Sequence, residues 1–160
     1  TQGSLEGLTI NMVGDLKYGR TTHSLLQAMS HFNPKFIFTA PKELMMPKEY
    51  KDFLDAKGIE YIETSSLNEH LNDCDILYMT RVQGERFADY NEYLRLRDSY
   101  ILTPEKLNTA KSDLSILHPL PRVNEIAVAV DNDKRAKYFE QAKNGKYIRM
   151  ALILKLLEVE

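Results

Sequence analysis

The chain has 160 residues, 43% of them apolar and 28% charged, with a formal net charge of -2. This is the composition and length of one globular domain, and the absence of excess positive charge does not favour nucleic acid as a partner. Cys74 is the only cysteine, which excludes a disulfide within the chain and favours a cytoplasmic location. The first residue is Thr1 and no signal-peptide pattern follows, so we expect a chain that was processed or cut from something longer. No apolar run approaches the length of a membrane span.

Apolar segments alternate with helical patterns along the chain. Residues 1–7 are polar and contain glycine, so we expect a linker there and one domain over residues 8–160. Strands are predicted at 8–13, 36–40, 59–63, 76–80 and 114–117. Helices are predicted at 20–32, 47–57, 67–71, part of 84–97, 103–111, 134–142 and 146–158. The alternation predicts an α/β fold, a doubly wound five-stranded parallel sheet in the order 3-2-1-4-5 with helices on both faces.

The stretch from Val13 to Ser24, VGDLKYGRTTHS, joins the first strand to the first helix through a turn bounded by two glycines. Such a turn collects backbone N–H groups at the positive end of a helix, which suits an anion, and Arg20 and Thr21 stand at that helix start. A dinucleotide fingerprint is excluded, because Leu16 stands where close approach to a pyrophosphate needs glycine. A nucleotide-binding P-loop is disfavoured, because Arg20 replaces its lysine. A plain connecting turn remains the alternative.

Basic and polar side chains follow strands 1, 4 and 5 of the predicted sheet: Lys17, Arg20, Arg81, Gln83, Arg86, His118 and Arg122. In an open parallel sheet, ligands bind beyond the carboxyl ends of the strands, where the strand order reverses. Because arginine presents paired donors that match a carboxylate or phosphate, separate arginines there predict a ligand with two acidic groups. The alternative is that these arginines form structural salt bridges with Asp15, Glu85 or Glu125.

The sequence His118-Pro119-Leu120-Pro121 predicts a rigid corner after the fifth strand. Its two prolines lack backbone donors, so the carbonyls of residues 118–120 are available to a ligand amine or amide. We interpret His118 as a core residue that bonds its own loop rather than as a group that transfers a proton. The chain shows no nucleophile beside a histidine with an orienting acid, and no cluster with the spacing of a metal site. We therefore expect a site that positions its ligand, with no catalytic acid, base or nucleophile, no metal and no cofactor.

Three motifs resemble the catalytic chain of the aspartate carbamoyltransferase family: VGDLKYGRT at 13–21, TRVQ at 80–83 with Glu85-Arg86, and HPLPR at 118–122. Gly84 departs from the family pattern, in which lysine is frequent at this position. The likeness extends over nearly the whole chain, including Tyr138-Phe139 and the closing helix. The related ornithine carbamoyltransferases are disfavoured, because their Ser-Met-Gly and His-Cys-Leu-Pro signatures are absent. The resemblance implies that residues 8–160 are the aspartate-binding, C-terminal domain and that the carbamoyl-phosphate domain lies outside this chain.

The resemblance implies transfer of the carbamoyl group of carbamoyl phosphate to the amine of L-aspartate, giving N-carbamoyl-L-aspartate and phosphate in pyrimidine synthesis. Carried over by motif, Arg20 would hold the α-carboxylate of aspartate, and Arg81, supported by Gln83, would hold its β-carboxylate. The backbone carbonyls of Pro119 and Leu120 would accept hydrogen bonds from the carbamoyl amide and the attacking amine. Five other residues of the motifs would support these contacts: Lys17, Thr21, Arg86, His118 and Pro121.

The resemblance also implies a state of assembly. The catalytic chains would form a homotrimer, and whether regulatory chains join it stays open. This chain alone would be inactive; the alternative function is a free-standing module that binds a small diacid or assists assembly without catalysis. A cis peptide bond is expected between Leu120 and Pro121. Because the helix at 146–158 is apolar around most of its circumference, we expect an exposed apolar patch, a changed helix position or self-association.

Overall fold

The computed structural model describes residues 2–82, 87–97 and 100–158. Their centre is a five-stranded sheet in which every neighbouring pair of strands is parallel. The strands lie in the order β3-β2-β1-β4-β5, so the predicted α/β fold and strand order are confirmed. They are β1 (Thr9–Val13), β2 (Lys35–Thr39), β3 (Tyr61–Thr64), β4 (Ile76–Met79) and β5 (Ser115–Leu117).

Four α-helices occur among the described residues: α1 (Arg20–Met29), α2 (Lys48–Ala56), α3 (Tyr90–Leu96) and α4 (Tyr138–Leu156). Short 3-10 helices lie at Lys42–Leu44, Lys106–Thr109 and Val128–Asn132. Within the part of the chain that the structure describes, none of these helices has the length and apolarity needed to span a membrane.

Each face of the sheet has its own apolar core, because successive strand residues point to opposite sides. On one face, Ile10 of β1 belongs to a cluster with Leu26 of α1 and Leu54 of α2. On the other face, Val13 belongs to a cluster that includes Tyr138 at the start of α4. Covering both faces explains why the strands read as continuous apolar runs rather than as alternating ones.

The end of the chain differs from the prediction of two helices at 134–142 and 146–158. A single helix, α4, runs through Asn144-Gly145, because an isolated glycine costs about 1 kcal/mol relative to alanine without breaking a helix. Residues 134–137 are not helical. The Ile116 N–H donates to the Arg135 carbonyl and the Lys137 N–H to the Ile116 carbonyl, both at 2.9 Å, so this segment pairs with the sheet instead.

Two other predicted helices are replaced by tighter structures. Residues 67–71 form hydrogen-bonded turns that bury Leu67 and Leu71, because so short a segment does not sustain a helix by itself. In 103–111, helical structure is confined to the 3-10 helix Lys106–Thr109. The Arg135 guanidinium donates to carbonyls of this segment, with Leu107 O at 2.9 Å, and so takes the place of helical N–H donors.

The second half of α4 presents apolar side chains to solvent, which confirms the expected exposed patch. We call this set the α4 apolar face. Tyr138 is the buried residue of α4. The side chains of the α4 apolar face, in contrast, are between 49% and 74% exposed. They are Tyr147, Ile148, Met150, Leu152, Ile153, Leu154, Leu156 and Leu157.

Arg122 anchors the start of α4 and is not available for the diacid ligand that the sequence predicts. Its guanidinium binds the Asp131 carboxylate through two nitrogens, with Nη2 to Oδ2 at 2.6 Å, and Nη1 donates to the Tyr138 hydroxyl at 3.1 Å. The Tyr138 hydroxyl in turn donates to Asp131. Burial, together with the neighbouring Asp131 carboxylate, raises the pKa of Tyr138 to about 12. The cluster therefore fastens the loop after the corner to the first turn of α4.

The substitution Asp131→Asn is expected to weaken the fold and to reduce its sensitivity to acid. Hydrogen bonds from Arg122 and Tyr138 hold the pKa of Asp131 below its ordinary value of 3.8. Stability that depends on such a lowered pKa is present above about pH 4 and is lost as the pH falls through the folded-state pKa. Denaturant unfolding at several pH values should show a loss on the order of 1–3 kcal/mol at pH 7 and a shallower decline below pH 4.

Asp52→Asn is the matched control, because Asp52 pairs with Lys48 at 2.6 Å on the exposed surface of α2. We expect it to change the free energy of unfolding at pH 7 by no more than about 0.5 kcal/mol. An Asp131→Asn variant with the parent profile would contradict the role of this cluster.

The α4 apolar face is expected to make the isolated 160-residue chain self-associate, because contiguous exposed apolar surface lowers its free energy by mutual burial. Sedimentation equilibrium should show concentration-dependent association, and the double change Ile148→Glu with Ile153→Glu should weaken it at least about tenfold, or 1.4 kcal/mol. Leu5→Glu is the control, since Leu5 is 53% exposed outside α4. A chain that stays monomeric up to about 1 mM would contradict this expectation.

Candidate functional site

A cleft of about 210 Å³ opens beyond the carboxyl ends of β1, β4 and β5. The strand order reverses at this point of the sheet, which is where a ligand was expected. Four of the predicted binding residues, Arg20, Arg81, Pro119 and Leu120, line the same cleft. The other lining residues are Gly19, Thr21, Thr80, His118 and Pro121.

The turn that carries Arg20 depends on both of its glycines. A Cβ at Gly14 would lie 2.4 Å from the Thr80 carbonyl oxygen, and one at Gly19 would lie 2.4 Å from the Asp15 carbonyl oxygen. Gly14 also has a φ of 110°, which disfavours any other residue. The turn ends at Gly19, so Arg20 becomes the first residue of α1 and is exposed at the cleft.

His23 supports this turn from behind, a role that is not predicted from the sequence. Its Nε2 donates to the Leu16 carbonyl at 2.8 Å, and its ring stacks on Tyr50 with centroids 4.1 Å apart. A histidine one turn into a helix carries no signal by itself. Its role follows from α2, which brings Tyr50 against it.

The predicted supporting residues Lys17 and Thr21 occupy different positions. Thr21 lines the cleft. Burial raises the pKa of Tyr78 of β4, and the neighbouring Thr21 side chain acts in the opposite direction. Lys17 is exposed beside the cleft rather than in its lining, with Nζ 5.0 Å from the centroid of the Tyr18 ring. The Tyr18 ring in turn meets Phe87, with centroids 6.3 Å apart.

Arg81 directly follows Thr80, which ties β4 to β1. The Thr80 hydroxyl donates to the Val13 carbonyl at 2.8 Å and accepts from the Asp15 N–H at 3.0 Å. Arg81 is half-buried and borders a second cavity of about 270 Å³, which Tyr93 and Glu125 also line. The cleft therefore receives one arginine from the β1 side and one from the β4 side.

His118 is buried and organises the corner from below. Its Nδ1 accepts from the Leu120 N–H at 2.8 Å, so the ring proton is assigned to Nε2, which donates to Glu125 Oε1 at 2.7 Å. The backbone N–H of His118 donates to the Gln141 side chain at 2.9 Å. The predicted cis peptide between Leu120 and Pro121 is confirmed, and Leu120 has a φ of 49°.

Glu125 closes the same network, whereas the sequence indicates it only as a salt-bridge partner for an arginine. Its Oε2 accepts from the N–H groups of Val123 and Asn124, each at 3.1 Å. Burial acts to raise the pKa of Glu125, but the hydrogen bonds from His118 and the backbone outweigh it, and the net pKa is lowered. Glu125 is thus an ionised anchor for the loop that carries the corner.

The corner leaves acceptors available to a ligand. Among the described residues, none donates a hydrogen bond to the carbonyl oxygen of Pro119 or Leu120. Both residues line the cleft, so these carbonyls can receive N–H groups of a bound molecule.

Some predicted site residues lie elsewhere. Gln83 and Arg86 fall outside the described residues. Arg122 binds Asp131 and Tyr138 instead of lining the cleft.

In the described ranges 2–82, 87–97 and 100–158, no cluster of three or more His, Cys, Asp and Glu residues could hold a metal ion. The described cleft can bind an anion through two arginines and an amine or amide through two carbonyls.

Residues 6–156 match the family described as aspartate/ornithine carbamoyltransferase, Asp/Orn binding domain. The aspartate carbamoyltransferase catalytic subunit of Bacteroides fragilis (strain YCH46) is 56% identical over 160 residues, covering 99% of this chain and 52% of that protein. The corresponding subunit of Clostridium acetobutylicum is 56% identical over 162 residues, with the same coverage of 99% and 52%. The chain therefore spans about half the length of the curated relatives it matches.

Solved structures agree with the fold. The catalytic subunit of M. jannaschii aspartate transcarbamoylase has a TM-score of 0.89 at 46% identity, covering 98% of this chain and 51% of that one. Aspartate transcarbamoylase from Trypanosoma cruzi, solved with carbamoyl phosphate and aspartate, has a TM-score of 0.87 at 36% identity, covering 95% and 51%. With the family match spanning residues 6–156 and with this sheet order, the chain belongs to the aspartate/ornithine carbamoyltransferase family.

Proposed function

We propose that this chain is the aspartate-binding half of an aspartate carbamoyltransferase. The complete protein would transfer the carbamoyl group of carbamoyl phosphate to the amine of L-aspartate, giving N-carbamoyl-L-aspartate and phosphate. The observation that carries the proposal is that Arg20, at the start of α1, and Arg81, after β4, line one cleft together with Pro119 and Leu120. The relatives named above support it, and the T. cruzi enzyme was solved with both substrates.

The two arginines favour aspartate over ornithine as the acceptor. In the proposed pose, Arg20 binds the α-carboxylate and Arg81 binds the β-carboxylate, each through paired N–H donors. Ornithine carries an ammonium group in place of the second carboxylate and would meet Arg81 with like charge. The charge of the cleft therefore supports a diacid substrate.

The corner carbonyls would orient the amine. An amine N–H that donates to Pro119 or Leu120 leaves the nitrogen lone pair directed at the carbamoyl carbon. As the new C–N bond forms, the bond from that carbon to the phosphate oxygen breaks, and the nitrogen loses a proton to the departing phosphate. In this proposal the described residues contribute binding and orientation, which can supply about 7–11 kcal/mol towards a two-substrate reaction.

The finer assignments belong to the same proposal. Gln83 would support the β-carboxylate site, and the residues around the cleft would order it: Lys17, Thr21, Arg86, His118 and Pro121. Residues 1–7 would be a linker and 8–160 the aspartate-binding domain. The complete catalytic chains would form a homotrimer in the cytoplasm, with carbamoyl phosphate bound largely by a domain outside this chain.

In the full-length protein, Arg81→Ala should lower kcat/KM for aspartate by about 30- to 5,000-fold, the equivalent of 2–5 kcal/mol for a lost charge-assisted contact. Arg81→Lys should restore only part of it, because an ammonium keeps the charge but not the paired geometry. Steady-state kinetics with each substrate varied in turn would measure both effects.

Arg95→Ala is the control for loss of an arginine, since Arg95 pairs with Glu43 on the surface at 2.8 Å and lies outside the cleft lining. We expect parent kinetics for it. A change of less than about tenfold in Arg81→Ala, or 1.4 kcal/mol, would show that Arg81 does not hold the β-carboxylate.

Residues 1–160 alone should show no carbamoyl transfer and should bind aspartate no more tightly than about 1 mM, or 4 kcal/mol. The physical reason is that the proposed reaction depends on holding the second substrate close to the amine. A colorimetric assay for the ureido product, with the full-length protein as positive control, and calorimetry with aspartate would test this. Turnover by the mass-verified chain would contradict it, and micromolar binding without turnover in the full-length protein would favour a diacid-binding module.

A further inference from the structure

The two arginines of the cleft stand on arms that separate at the end of one strand pair. β1 and β4 are neighbours, and their last paired residues are Val13 and Met79. Beyond that pair, β1 continues into the turn that ends at Gly19 and leads to Arg20, and β4 continues through Thr80 to Arg81. We call these two segments, residues 14–20 and 80–81, the arms. The distance between the two guanidinium groups therefore depends on how these arms are held where they part.

The Thr80 hydroxyl joins the arms at that place. It donates to the Val13 carbonyl at 2.8 Å and accepts from the Asp15 N–H at 3.0 Å, so it is bonded to the last residue of β1 and to the turn that follows, on both sides of Gly14. The Thr80 N–H also donates to the Val13 carbonyl at 2.9 Å. Thr80 is only 6% exposed, so water does not readily replace these bonds.

The space around the hydroxyl is too tight for a larger group. A Cβ added to Gly14 would come within 2.4 Å of the Thr80 carbonyl oxygen and 2.7 Å of Oγ1. A methyl group in place of the hydroxyl could not hydrogen-bond, and it would need about 3.5 Å or more from the Val13 oxygen. Replacement of the hydroxyl by methyl must therefore push the arms apart.

We propose that the Thr80 hydroxyl is a positioning group that sets the separation of the Arg20 and Arg81 arms and thereby selects a four-carbon diacid. This rests on the proposed function for the identity of the ligand. A diacid with one more methylene needs its two carboxylate sites farther apart, so widening the arms weakens the four-carbon ligand and favours the longer one.

The test uses the full-length protein with Thr80→Val, Thr80→Ala and Thr80→Ser. The readouts are kcat and KM for each substrate and the inhibition constants of succinate and glutarate, diacids with four and five carbons. Thr80→Val should raise KM for aspartate about 10- to 100-fold, the range expected for a displacement of up to about 1 Å. The same variant should also lower the ratio of the glutarate inhibition constant to the succinate inhibition constant at least about fivefold. KM for carbamoyl phosphate should stay within about twofold of the parent value.

Thr80→Ser keeps the hydroxyl, so it should retain both the aspartate KM and the diacid preference of the parent protein. Thr80→Ala removes the hydroxyl without adding bulk and should shift the preference in the same direction as Thr80→Val, which keeps the test available if the valine variant does not fold. The matched control is Thr39→Val, because Thr39 is a buried threonine whose hydroxyl donates to Asn11 at 2.8 Å in the core. It should lower the melting temperature without moving the diacid preference.

An unchanged succinate-to-glutarate ratio in Thr80→Val and Thr80→Ala would overturn the proposal, as would failure of Thr80→Ser to restore it. The proposed function fails separately, if the parent protein does not carbamoylate aspartate. In that case calorimetric binding of succinate and glutarate to the same variants still decides the role of Thr80. A parent protein that does not discriminate between the two diacids would overturn it as well.

Discussion

The close approach of β1 and β4 at Gly14 and Thr80 is the constraint on which the site depends. The two strands lie side by side in the middle of the sheet, and their chains turn away from each other immediately afterwards. A side chain at Gly14 would strike the Thr80 carbonyl, so the contact requires glycine on one side and accepts a small hydroxyl on the other. The reversal of strand order that creates the crevice is therefore also a place where the backbone separation is tightly constrained.

A second constraint acts on the opposite wall of the cleft through buried polar groups. Glu125 anchors two loop N–H groups and His118, and His118 in turn holds the Leu120 N–H. The Leu120 N–H points inward to His118, so the Pro119 carbonyl of the same peptide group faces the other way, and the buried His118–Glu125 pair arranges an acceptor offered to a ligand. A fully satisfied buried network is well suited to this, because breaking any member leaves an unpaired polar group.

The sheet order and most of the cleft could be predicted, because apolar strands that alternate with helices allow few topologies and the carboxyl ends of parallel strands share one edge. Residues whose roles come from distant contacts could not be predicted. Arg122 follows a strand of the sheet just as Arg20 does, yet its guanidinium binds Asp131 and does not line the cleft. His23 gained its role only through Tyr50 of α2. The predicted helix break at Gly145 was wrong for another reason. The low helix propensity of one glycine is a weak effect that a long helix tolerates.

The seam between β1 and β4 also bears on how the domain folds. Val13 and Thr80, which bond across it, are 67 residues apart in the chain, whereas Asn11 and Thr39, which bond between β1 and β2, are 28 apart. Closing the longer loop costs more conformational entropy, so the β1–β2–β3 half can assemble before β4 joins it. The cleft is then among the last features to form, and partial unfolding along the seam would remove the binding site while half of the sheet remains paired.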